Sequence, residues 1–174
     1  MPIGSNPILK IALALVLVAG AIPAHSSKTI SRSDETFLND ALRWAKVEVQ
    51  LGEMAASKAA DPGLKDFAIQ TARDNSIISR QLGRIARNEL LSVRKVKGKD
   101  QNEVLNKLSK LNGFEFDQAY LRYEIEKLEN DLSYYRKEIK HGSSPDLKNF
   151  AADTAPILEA RMKKANRIME EQLR

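Results

Sequence analysis

Cysteine is absent from the 174 residues of this sequence, and histidine occurs only twice. Disulfide bonds and thiolate metal sites are therefore excluded. Glycine and proline are also scarce, with 8 and 6 residues, and aromatic residues account for only 6% of the chain. A sequence with few helix breakers and 29% charged residues is typical of a mostly helical protein. Its length is sufficient for one domain with a full hydrophobic core.

Long apolar runs are likewise missing, except for one at the N-terminus, Ile11–Ile22, which follows Lys10 and precedes a proline and small residues. A secretory signal peptide has a positive charge, then a short apolar stretch, and then a cleavage site with small residues. We therefore predict a signal peptide over residues 1–26, with cleavage after Ser26 or after Ala24.

An uncleaved membrane anchor is the alternative interpretation of this segment. About 12 apolar residues are too few to cross a hydrocarbon core of about 30 Å comfortably, so export with cleavage is favoured. The expected location is the periplasm or the medium, with inner-membrane anchoring as the alternative. Residues 27–33 are predicted to form an N-terminal tail, and residues 34–174 the folded domain.

Two stretches of twelve residues nearly repeat each other 83 positions apart, DPGLKDFAIQTA at Asp61–Ala72 and SPDLKNFAADTA at Ser144–Ala155. Asp61 and Ser144 each stand directly before a proline. A capping side chain followed by proline is typical of a helix N-terminus, because the proline lacks only an N–H that has no partner there. Each copy therefore predicts the start of a helix.

A second, looser match lies upstream of each copy, FLNDALRW at Phe37–Trp44 and FDQAYLRY at Phe116–Tyr123. Two matches in the same order indicate a duplicated helical hairpin. Apolar residues at helical spacing then predict four long helices, at about Asp34–Ala60, Pro62–Asn88, Phe116–Lys140 and Pro145–Gln172. The predicted fold is all-α, a ferritin-like four-helix bundle with one long crossover between the second and third long helices. This crossover covers residues 89–113 and includes a short amphipathic helix at Asn102–Leu111.

Three phrases of the sequence together resemble a family of bacterial secreted proteins whose function is unknown. They are VEVQLGEMAASKAADPGLKDFA, LSKLNGFEFDQAYL and SPDLKNFAADTAPILEARMKKA. The resemblance extends from about Phe37 to the C-terminus. It implies a ferritin-like fold and a location in the cell envelope, where some members are labelled as outer membrane proteins, but it implies no activity.

Members of this family often carry three histidines and one glutamate at positions that resemble the metal ligands of ferritin-like bundles. The matching positions here are Glu48, Asn75, Leu128 and Arg161, so the glutamate is kept and each histidine is replaced. The resemblance therefore implies a degenerate metal site. We hypothesise that Arg161 replaces the metal cation and pairs with Glu48, with Asp74 or Asn75 as a further acceptor. In the alternative, the Arg161 guanidinium extends to water along the surface.

Other groups that could carry chemistry are few. His25 lies in the predicted signal peptide, and His141 lies at a predicted helix end, where a cation and a following glycine are ordinary features. The third long helix is predicted to present a hydrocarbon face to the interior, where a di-metal site needs a ligand. This predicted stripe consists of Leu121, Ile125, Leu128, Leu132, Tyr135 and Ile139. We expect no catalytic residue and no cofactor.

The chain carries a formal net charge of +5. Acidic residues are interleaved with the basic ones and no aromatic residues accompany them for base stacking, so nucleic acid is not an expected partner. An anionic envelope surface or an acidic protein is the kind of partner that these charges suit, and the sequence leaves a homo-oligomer open. The sequence thus predicts a non-catalytic exported helical protein with an interaction or envelope-stress role. A metal-binding or oxidoreductase-type bundle with carboxylate ligands is the alternative.

Overall fold

The computed structural model describes residues 30–93 and 99–173, and all of its regular structure in these ranges is helical. The helices are α1 at Arg32–Lys58, α2 at Pro62–Asn88, α3 at Lys99–Ser109, α4 at Gly113–His141 and α5 at Pro145–Gln172. The prediction of an all-α chain is confirmed, and each predicted helix end lies within one turn of the observed one. The predicted signal peptide at residues 1–26 lies outside the described residues, as does the predicted tail as far as residue 29.

The repeated segments both begin a helix, as predicted. A side-chain oxygen of Asp61 accepts a hydrogen bond from the Leu64 amide at 2.7 Å, and the Ser144 hydroxyl accepts one from the Leu147 amide at 3.1 Å. In both helices proline occupies the first turn. The two helix starts therefore use the same local device, a capping oxygen for one of the first unpaired amides.

The long helices pack as two hairpins. α1 lies along α2 and α4 lies along α5, whereas the hairpins meet through α1 with α4 and α2 with α5. The start of α4 lies beside the α1–α2 turn, and the start of α1 lies beside the α4–α5 turn. α1 and α4 therefore run in opposite directions, and the end of α2 and the start of α4 lie at opposite ends of the hairpins. Within the described ranges, no helix combines the length and the apolar character needed to cross a bilayer.

Two buried aspartates join the hairpins at opposite ends. Asp34 of α1 is fully buried and accepts hydrogen bonds from the amides of Ser143 and Ser144 at 2.9 and 3.2 Å, and from the Ser143 hydroxyl. Burial alone would raise the pKa of Asp34, but the hydrogen bonds from Ser143 and Ser31 outweigh burial and lower the pKa to about 2. Asp34 therefore stays ionised and holds the α4–α5 turn.

Asp117 of α4 performs the corresponding task at the other end. Its carboxylate accepts hydrogen bonds from the amides of Ala60 and Asp61 at 3.0 and 2.9 Å, and it is 1% exposed. Each hairpin thus supplies the acceptor for the backbone of the other hairpin's turn.

Glu138 of α4 lies beside Asp34 and is buried. Burial and the negative charge of Asp34 raise the pKa of Glu138 to about 7, although Lys148 offsets part of this rise. Gly142 leaves room for this residue, because a Cβ at residue 142 would lie 2.7 Å from the Glu138 carbonyl oxygen and would also meet the Glu138 carboxyl group. Gly142 has φ of −59°, so space at its Cα, rather than the left-handed backbone of a common helix stop, requires glycine here.

Replacing Glu138 by Gln should weaken the pH dependence of stability. Glu138 binds its proton more tightly in the folded protein than in the unfolded chain, so this proton stabilises the fold. The stabilisation is fully present below the ordinary pKa of 4.5 and is lost as the pH rises through about 7. We expect the loss to lower the free energy of unfolding by about 1–2 kcal/mol between about pH 5 and pH 8. Urea unfolding at both pH values should show a decline that is smaller in E138Q than in the wild type by this amount. The exposed Glu129→Gln is the control, and equal declines in all three proteins would contradict the prediction.

α1 and α2 approach each other closely at Gly52. A Cβ on Gly52 would lie 2.7 Å from the carbonyl oxygen of Ala68 and 2.9 Å from the Cβ of Ala72. The first of these neighbours is backbone and cannot move aside easily. At Gly83 of α2, by contrast, an added Cβ would meet only the end of the Arg87 side chain, at 3.7 Å.

Alanine at these two glycines should therefore have opposite effects. Gly52→Ala should lower the free energy of unfolding by about 1–3 kcal/mol, because overpacking forces the helices apart. Gly83→Ala should raise it by about 0.5–1 kcal/mol, because alanine favours a helix interior over glycine. Chemical unfolding followed by circular dichroism measures both changes. Stabilisation by Gly52→Ala would show that the two helices can separate without cost.

Candidate functional site

A layer of buried polar side chains crosses the interior halfway along the long helices. Each long helix contributes one member, Glu48 from α1, Asn75 from α2, Glu124 from α4 and Arg161 from α5, and none is more than 8% exposed. Apolar clusters lie on both sides of this central polar layer. On α4, for example, Leu121 belongs to one cluster and Leu128 to the other.

Three of the four positions singled out from the sequence, Glu48, Asn75 and Arg161, lie in the central polar layer. The fourth, Leu128, belongs to the neighbouring apolar cluster and is 2% exposed. Asn75 donates its side-chain amide to the carbonyl oxygen of Thr71 at 2.9 Å, within its own helix. Three of the predicted positions therefore come together in the interior. Of the acceptors hypothesised for Arg161, Asp74 is its ion-pair partner, whereas Glu48 is not.

Arg161 is buried and makes its ion pair with Asp74 of α2, with 3.3 Å between Nη2 and Oδ2. The other oxygen of Asp74 accepts a hydrogen bond from Gln70 at 2.7 Å. Between the described residues Glu48 and Arg161 no ion pair is formed. The reason is that α5 packs beside α2, which carries Asp74, whereas the Glu48 carboxylate is engaged by α4.

Glu48 accepts a hydrogen bond from the hydroxyl of Tyr123, with 3.1 Å between the oxygens. Burial and the negative charge of Glu48 raise the pKa of Tyr123. The tyrosine therefore stays protonated and remains a donor to the carboxylate.

Glu124 is 1% exposed, and neither of its oxygens receives a hydrogen bond from a donor group. Burial and the nearby charge of Glu48 raise the pKa of Glu124 well above the ordinary value, and Arg161 offsets only part of this rise. An acid in these surroundings keeps its proton, because ionisation would leave an unpaired buried charge. The Glu48 carboxylate lies near enough to interact with that proton. The buried Tyr120 hydroxyl lies beside Glu124, and burial together with the charges of Glu124 and Glu48 raises its pKa.

The prediction of a purely hydrocarbon interior face on this helix is wrong at one position. Glu124 lies inside, whereas Ile125, which the predicted stripe contained, is only partly buried. The spacing of Leu121, Glu124 and Leu128 follows one helical face, so the signal was present in the sequence. Glu124 is absent from the predicted stripe because charged residues are rarely buried.

The central polar layer can store a proton and balance charge. Its acidic groups are Glu124, which holds a proton, and Glu48, which accepts a hydrogen bond, and Arg161 with Asp74 adds a pair of opposite charges. Among residues 30–93 and 99–173, no group of three or more His, Asp or Glu side chains is arranged to hold a metal ion.

Replacing Glu124 by Gln tests whether this residue holds a proton. Glutamine keeps a donor toward Glu48 but cannot ionise, whereas the stabilising contribution of the wild-type acid is lost as the pH rises through its raised pKa. The stability of E124Q relative to wild type should therefore increase as the pH rises above 4.5, the ordinary pKa of the group. Glu126→Gln, at an exposed position of the same helix, should run parallel to wild type. A parallel course for E124Q as well would show that Glu124 is ionised in the folded protein.

Comparison with known proteins identifies a family and a related fold. Among solved structures, this chain is similar to a DUF305 fragment from Deinococcus radiodurans, with a TM-score of 0.73 and 9% sequence identity, over 82% of this chain and 98% of that chain. Such low identity relates the folds alone. No curated protein matches the chain. A family profile described as "Domain of unknown function (DUF4142)" matches residues 19–168. The chain therefore belongs to the DUF4142 family.

Proposed function

We propose that this DUF4142 protein is an exported, non-catalytic ferritin-like bundle with an interaction or envelope-stress role, and that its interior is a degenerate metal site. The observation that carries the proposal is the burial of Arg161 in the central polar layer, with Asp74 as its ion-pair partner. The Arg161 guanidinium, a permanent cation, thus lies at a position where related proteins carry a histidine that resembles a metal ligand.

The ferritin-like assignment is supported by connectivity. Two antiparallel hairpins joined by one long crossover are the arrangement of ferritin-like folds. The two repeated segments begin α2 and α5, the second helix of each hairpin, which supports an origin by duplication. The apolar N-terminal segment supports export.

The charges of the layer support an interior that needs no metal ion. A metal ion between the helices would need several ionised carboxylates or imidazoles as ligands. Here Glu124 holds a proton, Glu48 accepts hydrogen bonds, and Arg161 supplies the positive charge. A second cation next to that guanidinium would be repelled.

The alternative is a metal-binding bundle that uses carboxylate ligands. One observation favours it, namely that Glu48 and Glu124 lie together on facing helices and that the Glu124 oxygens have no donor. Loss of the shared proton would expose two carboxylates to a hard cation.

The proposed partner is an anionic component of the envelope, either a lipid surface or an acidic protein. Arg80, Arg84 and Arg87 are exposed on α2 and are available for such contacts. Attraction of this kind weakens as salt concentration rises.

Metal analysis separates the two candidate functions. Untagged wild-type protein that has been incubated with Fe²⁺, Mn²⁺ or Zn²⁺ and then desalted should retain far less than one ion per chain. The triple variant N75H/L128H/R161H should retain about one Zn²⁺ per chain, because it places imidazoles at the positions where related proteins carry histidines and removes the guanidinium. Adding Glu48→Gln to the triple variant should weaken retention. One ion per wild-type chain, with a higher melting temperature, would reject the non-metal proposal in favour of the alternative.

A further inference from the structure

A cleft of about 420 Å³ opens between α2 and α5, where the two hairpins meet. Its apolar wall is formed by Phe67, Pro156, Ile157 and Ala160. Ile157 is 46% exposed although it is a large apolar side chain. The size and the lining are those of small-molecule sites, which are mostly apolar with a few polar groups.

One polar group of this cleft lacks a partner in the folded protein. Thr71 is 1% exposed and lines the cleft, and its hydroxyl makes no hydrogen bond. The matching residue of the other repeat, Thr154, donates its hydroxyl to the Phe150 carbonyl oxygen at 2.7 Å, which is the usual arrangement within a helix. The two repeats therefore differ at the residue that lines the cleft. A buried hydroxyl without a partner is costly unless a ligand completes it.

The charged groups that line the cleft give it a net positive charge. Arg161 and Lys164 face it with two positive charges, and Asp74 supplies one negative charge. Asp74 engages Arg161 through Nη2 alone, which leaves other guanidinium N–H donors. The ammonium of Lys164 lies over the ring of Phe67, 6.0 Å from its centroid. A positive charge therefore lies next to the apolar wall.

We propose that this cleft binds an amphipathic monocarboxylate, an acyl chain of medium length with a single anionic head. The chain lies against Phe67 and Ile157, and the carboxylate lies between Lys164 and the free donors of Arg161. The Thr71 hydroxyl donates its unused hydrogen bond to the head group. The proposal extends beyond the function given above and does not depend on the absence of a metal ion.

Calorimetric titration with sodium decanoate, below its micelle-forming concentration, tests the site directly. We expect saturable binding with one decanoate per chain. Decanol has the same chain without the charge and should bind about tenfold more weakly, and decyltrimethylammonium should not compete. Equal affinity for decanol would overturn the assignment of an anionic head group.

Variants assign the binding to this cleft. Thr71→Val should weaken decanoate binding about fivefold without lowering the melting temperature, because the hydroxyl makes no bond in the free protein. Thr154→Val is the matched control at the equivalent repeat position and should leave the affinity unchanged. Equal weakening by both variants would overturn the role of the unpaired hydroxyl.

Two further variants address the charge and the space. Lys164→Gln should weaken decanoate binding about tenfold. Ala160→Phe, at an exposed residue of the wall, should fill the cleft and abolish saturable binding while the circular dichroism spectrum stays helical. Undiminished binding by Ala160→Phe would place the ligand elsewhere and reject the proposal.

Discussion

The reciprocal hydrogen bonds of Asp34 and Asp117 are the constraint on which the rest of the structure depends. Each carboxylate belongs to one hairpin and binds the backbone amides of the other hairpin's turn. Because the two contacts lie at opposite ends, they fix both the separation and the axial register of the hairpins. That register brings α1 and α4 together at the level where Glu48 and Glu124 meet. Charged groups bonded to buried amides are also among the stronger hydrogen bonds in proteins.

The central polar layer can make the packing of the two hairpins specific. Two buried carboxyl groups and a buried guanidinium interrupt apolar clusters that would pack equally well in several registers. Replacing such groups by hydrocarbon is often neutral or stabilising, whereas removing one partner is costly. A sliding of one hairpin by a single turn would separate Glu124 from Glu48 and Arg161 from Asp74. We infer that the layer penalises this misregister, in addition to any stability that it contributes.

Local rules in the sequence were sufficient for the helices, because capping oxygens and prolines act within one turn, as at Asp61 and Ser144. Three members of the central polar layer were found through the family resemblance. Asp74 was predicted only as a further acceptor for Arg161, because the choice between Glu48 and Asp74 depends on which neighbouring helix approaches the guanidinium. The role of Asp117 could not be predicted. Its hydrogen-bond partners are backbone amides of another segment, and nearly every residue carries such an amide. Glu124 was missed for a different reason, the general expectation that acids lie outside.

The reciprocity of the two aspartate contacts has a consequence for assembly. A hairpin from one copy presents to a second copy the same carboxylate and the same turn that it presents within its own chain. Exchange of hairpins between two molecules would preserve each of these hydrogen bonds and alter only the path of the long connection. Domain swapping is therefore a route to a dimer that requires no new interface, and its extent would be set by protein concentration and by the strain in that connection.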